Sequence, residues 1–169
     1  MIILIGESGS GKSTIERKLT QEGYSKITSV TTRPPRAGEK DGVDYHFVSE
    51  ETFAELYTSG QFLETTTYRG WHYGMLAKDY SPGKVIVVEL NGLKQIIDHV
   101  GRDKLKIFYI KAPERDRMIR MLLRGDDVDE VIRRIQADRT DFTGAEQIAD
   151  HVVYNQYLGD AMHKIWGLL

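Results

Sequence analysis

A chain of 169 residues can bury one substantial hydrophobic core and is short for two, so one compact domain is expected. Its 25 acidic and 23 basic side chains nearly cancel, which removes the broad positive field of a nucleic-acid-binding protein, and the absence of cysteine removes disulfides, thiolate metal sites and cysteine nucleophiles. No apolar run reaches the length of a membrane span and the opening residues lack a leader pattern, so the expectation is a cytoplasmic protein with neither membrane nor nucleic-acid partners.

The opening "MIILI" is short, continuous and β-branched, the pattern of a buried strand, and it ends at Gly6. After a glycine-rich loop, "STIERKLTQEG" places Ile15 and Leu19 on one helical face, with Gly23 as its stop. "SKITSV" and "VDYHFVS" read as short strands on either side of the proline-bearing "TTRPPRAGEKDG". "SEETFAELYTSG" predicts a helix with Ser49 as N-cap and Thr52 at N3. "QFLETTTYRGWHYG" alternates around Arg69-Gly70 as a hairpin would. Beyond the turn at Ser81, "KVIVVEL" and "KLKIFYI" read as buried strands, and "NGLKQIIDHV" and "APERDRMIRMLL" as helices, with Pro113 at N1 of the second. A polar "RGDD" joint leads into "DVDEVIRRIQADRTDF", where Val128, Val131, Ile132 and Ile135 lie at helical spacing. "HVVY" is a last strand, and the closing helix puts Leu158, Met162, Ile165, Trp166 and Leu169 on a common face, with Trp166 as a core anchor. Apolar strands alternating with helices predict an α/β fold whose parallel sheet is covered on both faces.

Within "GESGSGKST", Gly6, Gly11, Lys12 and Ser13 satisfy G-x-x-x-x-G-K-[ST]. In that pattern the amides of Glu7, Ser8, Gly9, Ser10 and Gly11 curl around phosphate oxygens, and the following helix, with Thr14 in its first turn, adds positive potential. Lys12 reaches the β- and γ-phosphates, and Ser13 offers a hydroxyl to Mg2+. A merely flexible glycine turn is the plain alternative; the setting between a buried strand and a helix argues for ATP as co-substrate with Mg2+.

The loop says nothing of where a phosphoryl group goes. Arg33 and Arg36 stand three apart across two prolines that fix the backbone, with Tyr45 downstream, so two forked donors and a phenol can converge on a phosphate dianion. A solvated basic loop has the same composition. Taken with "GQFLETTTYRGWHYG" and the phosphate loop, this segment resembles the guanylate kinase family over residues 3–155. The resemblance implies a P-loop NTPase core (1–31, 82–123 and 130–169), a GMP-binding α+β insertion (32–81) and a short lid (124–129) that appears about one residue shorter than usual. It implies that Arg33, Arg36, Tyr45 and Tyr73 hold the GMP phosphate and that Ser29 and Glu64 address the guanine. Guanine offers N1–H and a 2-amino group side by side, which one carboxylate accepts, whereas adenine presents a bare N1 lone pair. The resemblance further implies that Arg120, Arg124 and Arg134 close over ATP, with Arg134 also reaching the acceptor, and that Asn155 lies near the adenine. Lys12, Arg36, Arg124 and Arg134 are then the catalytic cations, and the product is GDP or dGDP.

Three features depart from the family pattern. The strand that usually ends Asp-x-Asp-x-Gln-Gly has Val87 in place of the first acid and Glu89 in place of the second, which leaves Mg2+ to Ser13 and water and rearranges the acceptor contacts of Glu89. Met75 stands where a hydroxyl would donate to guanine O6, and lining the base pocket it would weaken discrimination there. The stretch from Met75 to Lys84 is about six residues shorter than usual. Five histidines have no metal-ligand spacing and read as structural. Two rivals stay open: a P-loop kinase for another phosphorylated acceptor, and a non-catalytic binding module, against which the complete phosphate loop argues. A monomer or homodimer is expected.

Overall fold

The computed structural model describes residues 1–36, 38–68 and 70–169. In chain order it has β1 (Ile2–Ile5), α1 (Lys12–Gln21), β2 (Ser25–Lys26), β3 (Val30–Thr31), β4 (His46–Phe47), α2 (Glu50–Thr58), β5 (Phe62–Tyr68), β6 (Trp71–Leu76) and β7 (Lys84–Val87). Then follow α3 (Leu90–Val100), β8 (Lys106–Lys111), α4 (Glu114–Leu123), α5 (Val128–Asp141), α6 (Ala145–Ile148), β9 (His151–Tyr154) and α7 (Leu158–Trp166). One sheet, in the order β2-β7-β1-β8-β9, is parallel throughout. The α/β fold expected from the alternation of strands and helices is therefore the one observed.

Strand alternation explains the two layers of core. Ile3 and Ile5 of β1 face a cluster with Ile86, Ile107 and Tyr109 that α3 covers through Leu93 and Ile96. Ile2 and Leu4 face the other way, onto Phe108 and Ile110, with Ile15 and Leu19 of α1 and Met162 and Ile165 of α7 above them. A second sheet, β4-β3-β6-β5, is mixed: β3 pairs β4 in parallel and β6 antiparallel, and β5 and β6 form the predicted hairpin. Its own small core stacks Phe53 of α2 on Phe62 at 4.6 Å, beside Val30 and Leu76. Leu63 and Met75 of the hairpin reach into the main cluster under α3, which joins the two sheets.

Several local expectations are corrected. "SKITSV" is not one strand: β2 belongs to the large sheet and β3 to the small one, each only two residues long. "KVIVVEL" stops at Val87 because Glu89 is already the N-cap of α3. Pro113 is the N-cap of α4 and not its first residue, in the extended conformation that closes the preceding loop. On α5, Val131 and Ile135 are buried while Val128 and Ile132 are 59% and 43% exposed, because only one side of the helix meets α4. Trp166 is 45% exposed and Leu169 also faces solvent; Met162 and Ile165 anchor the last helix. The Ser49 cap is as expected, its Oγ accepting from the Thr52 amide. Of the hairpin turn, Gly70 takes a left-handed φ of 77°, and Arg69 lies outside the described residues. The shortened stretch after Met75 holds one 3-10 turn, Ala77–Asp79. Among the described residues no helix is long and apolar enough to cross a membrane.

Candidate active site

The glycine-rich loop leaves the C-terminal end of β1 and turns into α1, with Gly11 as N-cap at φ 99° and no side-chain cap, so the leading helix amides are left for an anion. Its shape requires the glycines at two contacts. A Cβ on Gly6 would lie 2.2 Å from the Ile110 carbonyl oxygen, and one on Gly11 would lie 2.2 Å from Asn155 Nδ2. That Asn155 amide is buried and donates to the Ser10 carbonyl at 2.7 Å. Arg120 of α4 donates to the carbonyls of Asn155 (2.8 Å) and Gln156 (3.1 Å) and, at 3.4 Å each, of Gly9 and Ser10. Arg120 and Asn155 thus touch the loop through its backbone, beside a cavity of about 350 Å³ that Gly11, Thr14 and Tyr157 also line. Lys12 Nζ is turned onto the carbonyls of Gly6 and Glu7, the latter at 3.1 Å. Burial pushes its ammonium pKa down, and the charges of Glu89, Asp138 and Glu7 push it back up. Glu7 accepts the Tyr109 hydroxyl at 2.8 Å, and Ser13 and Thr14 are exposed at the mouth.

The small sheet supplies a second set. Arg33 follows β3, is 8% exposed, and lays its guanidinium 5.4 Å from the Tyr45 ring centroid and 5.8 Å from that of Phe47. It donates to the Pro34 carbonyl at 2.8 Å and to Glu39 Oε1 at 2.9 Å, while Glu39 Oε2 accepts the Arg36 amide at 2.7 Å. Against the burial that would raise it, these bonds hold the Glu39 carboxyl below its ordinary range. Tyr45 meets Tyr73 of β6 edge-on at 5.9 Å, and burial first, Tyr73 second, pushes its phenol up to about 12. Ser29 sits just before β3, its carbonyl accepting the His46 amide. The Arg36 guanidinium is exposed and near enough to Asp126 to help hold that carboxyl low.

Glu64 of β5 is 5% exposed and rests on α3, where a Cβ on Gly92 would be 2.6 Å from its Oε2. Burial pushes its carboxyl up to about 7, opposed by the Met75 amide and assisted by Glu89. Among the described residues no cation is paired with it. Met75 is directly opposite in the hairpin register and wholly buried in the main cluster; its thioether is a core side chain, and it meets Glu64 through its backbone N–H. The idea that the Met75 side chain lines an open base pocket is corrected accordingly.

A third set joins α4 to α5. Arg124, the C-cap of α4, pairs with Asp126; Arg134 pairs with Glu130 at 2.6 Å and Asp126 at 3.6 Å. Glu130 also takes Arg133, and these arginines hold its carboxyl at about 2, hydrogen bonding by Arg133 being the largest cause. Arg133 and Arg134 lie over the Tyr68 ring of β5 at 5.8 and 5.5 Å, and the Tyr68 hydroxyl accepts from Arg133 at 3.2 Å. Among the described residues no group of three or more His, Asp or Glu side chains is placed to hold a metal ion.

Sequence reasoning missed Glu39, Asp126, Glu130, Tyr68, Arg117 and Asp138. Two signals were present: Glu39 falls three residues after Arg36 in a turn, and Glu130 falls four before Arg134 on one helix face.

The family model for guanylate kinase matches residues 1–169. The guanylate kinase of Sphingopyxis alaskensis is 32% identical over 177 residues, covering 100% of this chain and 80% of the relative. That of Nostoc sp. is 36% identical over 167 residues, 93% of this chain and 83% of the relative. The crystal structure of guanylate kinase from Anaplasma phagocytophilum superposes with a TM-score of 0.78 at 25% identity, over 99% of this chain and 82% of that one. This chain belongs to the guanylate kinase family.

Proposed function

We infer that the chain transfers the γ-phosphoryl group of ATP directly to the phosphate of GMP or its deoxy form. The observation that carries the reading is Glu64: a buried carboxylate with no cationic partner among the described residues, on the hairpin that also carries Tyr73 and within reach of the Glu89 charge that acts on Lys12. An isolated buried carboxylate is costly, and a ligand offering two adjacent N–H donors, as guanine does, removes that cost.

The acceptor phosphate is already ionised at neutral pH, so no protein base is needed; alignment and charge supply the catalysis. The insertion 32–81 holds the acceptor through Arg33, Arg36, Tyr45 and Tyr73, with Ser29 and Glu64 at the base and Glu89 at the rim. The core holds ATP through residues 6–14, shaped by Arg120 and Asn155. Residues 124–129 form the lid, bringing Arg124 and Arg134 to the transferring group. In the free protein those arginines rest on Asp126 and Glu130, so closure exchanges carboxylate partners for phosphate. Closing also excludes water from the transferring phosphoryl.

Mg2+ enters as part of the nucleotide. Ser13, exposed at the first turn of α1, would offer it a hydroxyl, Val87 offers none, and an ion that keeps several waters and binds substrate phosphates fits so sparse a set. When bound, it would neutralise phosphate charge.

An ADP-release assay over GMP, dGMP, AMP and 2-aminoadenine monophosphate, with Lys12→Ala as blank, tests the reading. Turnover of guanine nucleotides that vanishes in Lys12→Ala is expected. Equal turnover of AMP, or none of any monophosphate, would overturn it.

A further inference from the structure

Arg117 on α4 and Asp138 on α5 form an ion pair at 2.7 Å, 4% and 8% exposed, directly behind the phosphate loop. The pair saturates one loop residue. Asp138 Oδ2 accepts the Ser8 amide at 2.9 Å, Oδ1 accepts the Ser8 hydroxyl at 3.4 Å, and Arg117 Nη1 donates to the Ser8 carbonyl at 3.2 Å. The next residue, Gly9, has φ 76° and packs so closely on α4 that a Cβ would lie 2.6 Å from the Arg117 carbonyl oxygen. The tip of the loop is therefore held between two helices before any nucleotide arrives.

Stability alone gives no reason for such a pair. Desolvating two charges cancels most of their attraction, and apolar residues of similar volume commonly serve as well or better. What an apolar pair cannot do is accept the Ser8 N–H and donate to the Ser8 C=O, which would otherwise be left without partners behind the loop. The pair also reaches beyond the loop: α4 ends at Arg124, and Arg134 lies one turn before Asp138 on α5.

We propose that Arg117 and Asp138 are positioning residues of the ATP site, holding Ser8 so that the phosphate loop keeps its anion-binding shape and stays in register with Arg124 and Arg134. The ordering cost then falls on folding and not on binding, which tightens ATP. The inference rests on the reading that this loop takes ATP.

Two double variants separate positioning from packing. Arg117→Met with Asp138→Asn removes both charges but keeps a side-chain carbonyl for the Ser8 amide. Arg117→Met with Asp138→Leu removes the acceptor as well. Calorimetric titration with ATP, melting temperatures and the KM for each substrate are measured. The asparagine variant is expected to bind ATP within about threefold of wild type; the leucine variant to bind about five- to tenfold more weakly, the worth of one backbone hydrogen bond, with the KM for GMP unchanged. Equal ATP affinity in the two variants, or parallel loss of ATP and GMP, would overturn the proposal. Hydrogen exchange at the Ser8 amide of the unaltered chain needs no variant: protection without nucleotide is expected, and free exchange there would overturn it. ATP titration requires no acceptor, so a chain inactive on GMP would sink the functional reading and leave this test intact.

Discussion

Around the phosphate loop most polar contacts end on backbone: Asn155 on the Ser10 carbonyl, Arg120 on four carbonyls, Asp138 and Arg117 on the two backbone groups of Ser8. Around the small sheet and the joint between α4 and α5, contacts run between charged side chains: Arg33 to Glu39, Arg124 and Arg134 to Asp126, Arg133 and Arg134 to Glu130. Backbone contacts in a close-packed setting specify one shape. Ion pairs near the surface are individually weak and exchange readily for phosphate oxygens. The phosphate loop is thus built before ligand arrives, whereas the arginines of the small sheet and of the α4–α5 joint are held by partners they can exchange.

The largest break in this contrast is at the built end. On the proposed reading Lys12→Ala removes the cation that follows the transferring charge, and kcat is expected to fall by about a thousandfold or more with the melting temperature little changed. Steady-state kinetics at saturating ATP and GMP, with a thermal melt, checks it.

Next is Glu64. Glutamine cannot accept both guanine donors, so Glu64→Gln is expected to lower kcat/KM for GMP about a hundredfold, the worth of a charge-assisted pair of hydrogen bonds. Discrimination against AMP, measured as the ratio of kcat/KM values, should shrink with it.

The same residue sharpens the contrast through pH. With its carboxyl at about 7 in the free protein, much of Glu64 is protonated near neutrality, and guanine selects the ionised form. GMP affinity is therefore expected to rise as pH increases through 7, with proton release that calorimetry in two buffers detects. The phosphate's second ionisation near pH 6 contributes in parallel, so the difference from Glu64→Gln isolates the carboxylate. Stability runs the other way. Glu64 and Glu16 both sit at about 7 in the folded chain, above the ordinary 4.5, so the folded state favours their neutral forms. That stabilisation is whole below 4.5 and is lost as pH rises through 7, and Glu64→Gln should flatten the fall in denaturant midpoint over this window.

The smallest effect is at the assembled end. Asp126→Asn releases Arg124 and Arg134 from a competing carboxylate, and the KM for ATP is expected to drop by up to about threefold, less at high salt.

What was legible in the sequence follows the same division. The strand, loop and helix from Ile2 to Gln21 could be read because their signals are local: a continuous apolar run, glycines at fixed spacing, an i,i+4 pair. Arg117 and Asp138 could not, because their partnership spans two helices and shows only when α4 meets α5. Periodicity put Val128 and Ile132 with Val131 and Ile135, yet only packing decides how wide a stripe is covered. The two-residue strands β2 and β3 are too short to carry a period, so nothing local announced that the chain changes sheets between them. Met75 was placed on the right strand; whether its thioether met solvent or core depended on α3, which packs against β5.

The central claim is that two anionic ligands meet end to end across this cleft. A crystal structure with adenosine and guanosine joined through five phosphates tests it most directly. The account predicts the adenosine end on residues 6–14, Arg33 turned from Glu39 to phosphate, and Glu64 within hydrogen-bond distance of guanine N1 and its 2-amino group. A guanine bound elsewhere, with Glu64 still facing only Met75 and Gly92, would contradict it.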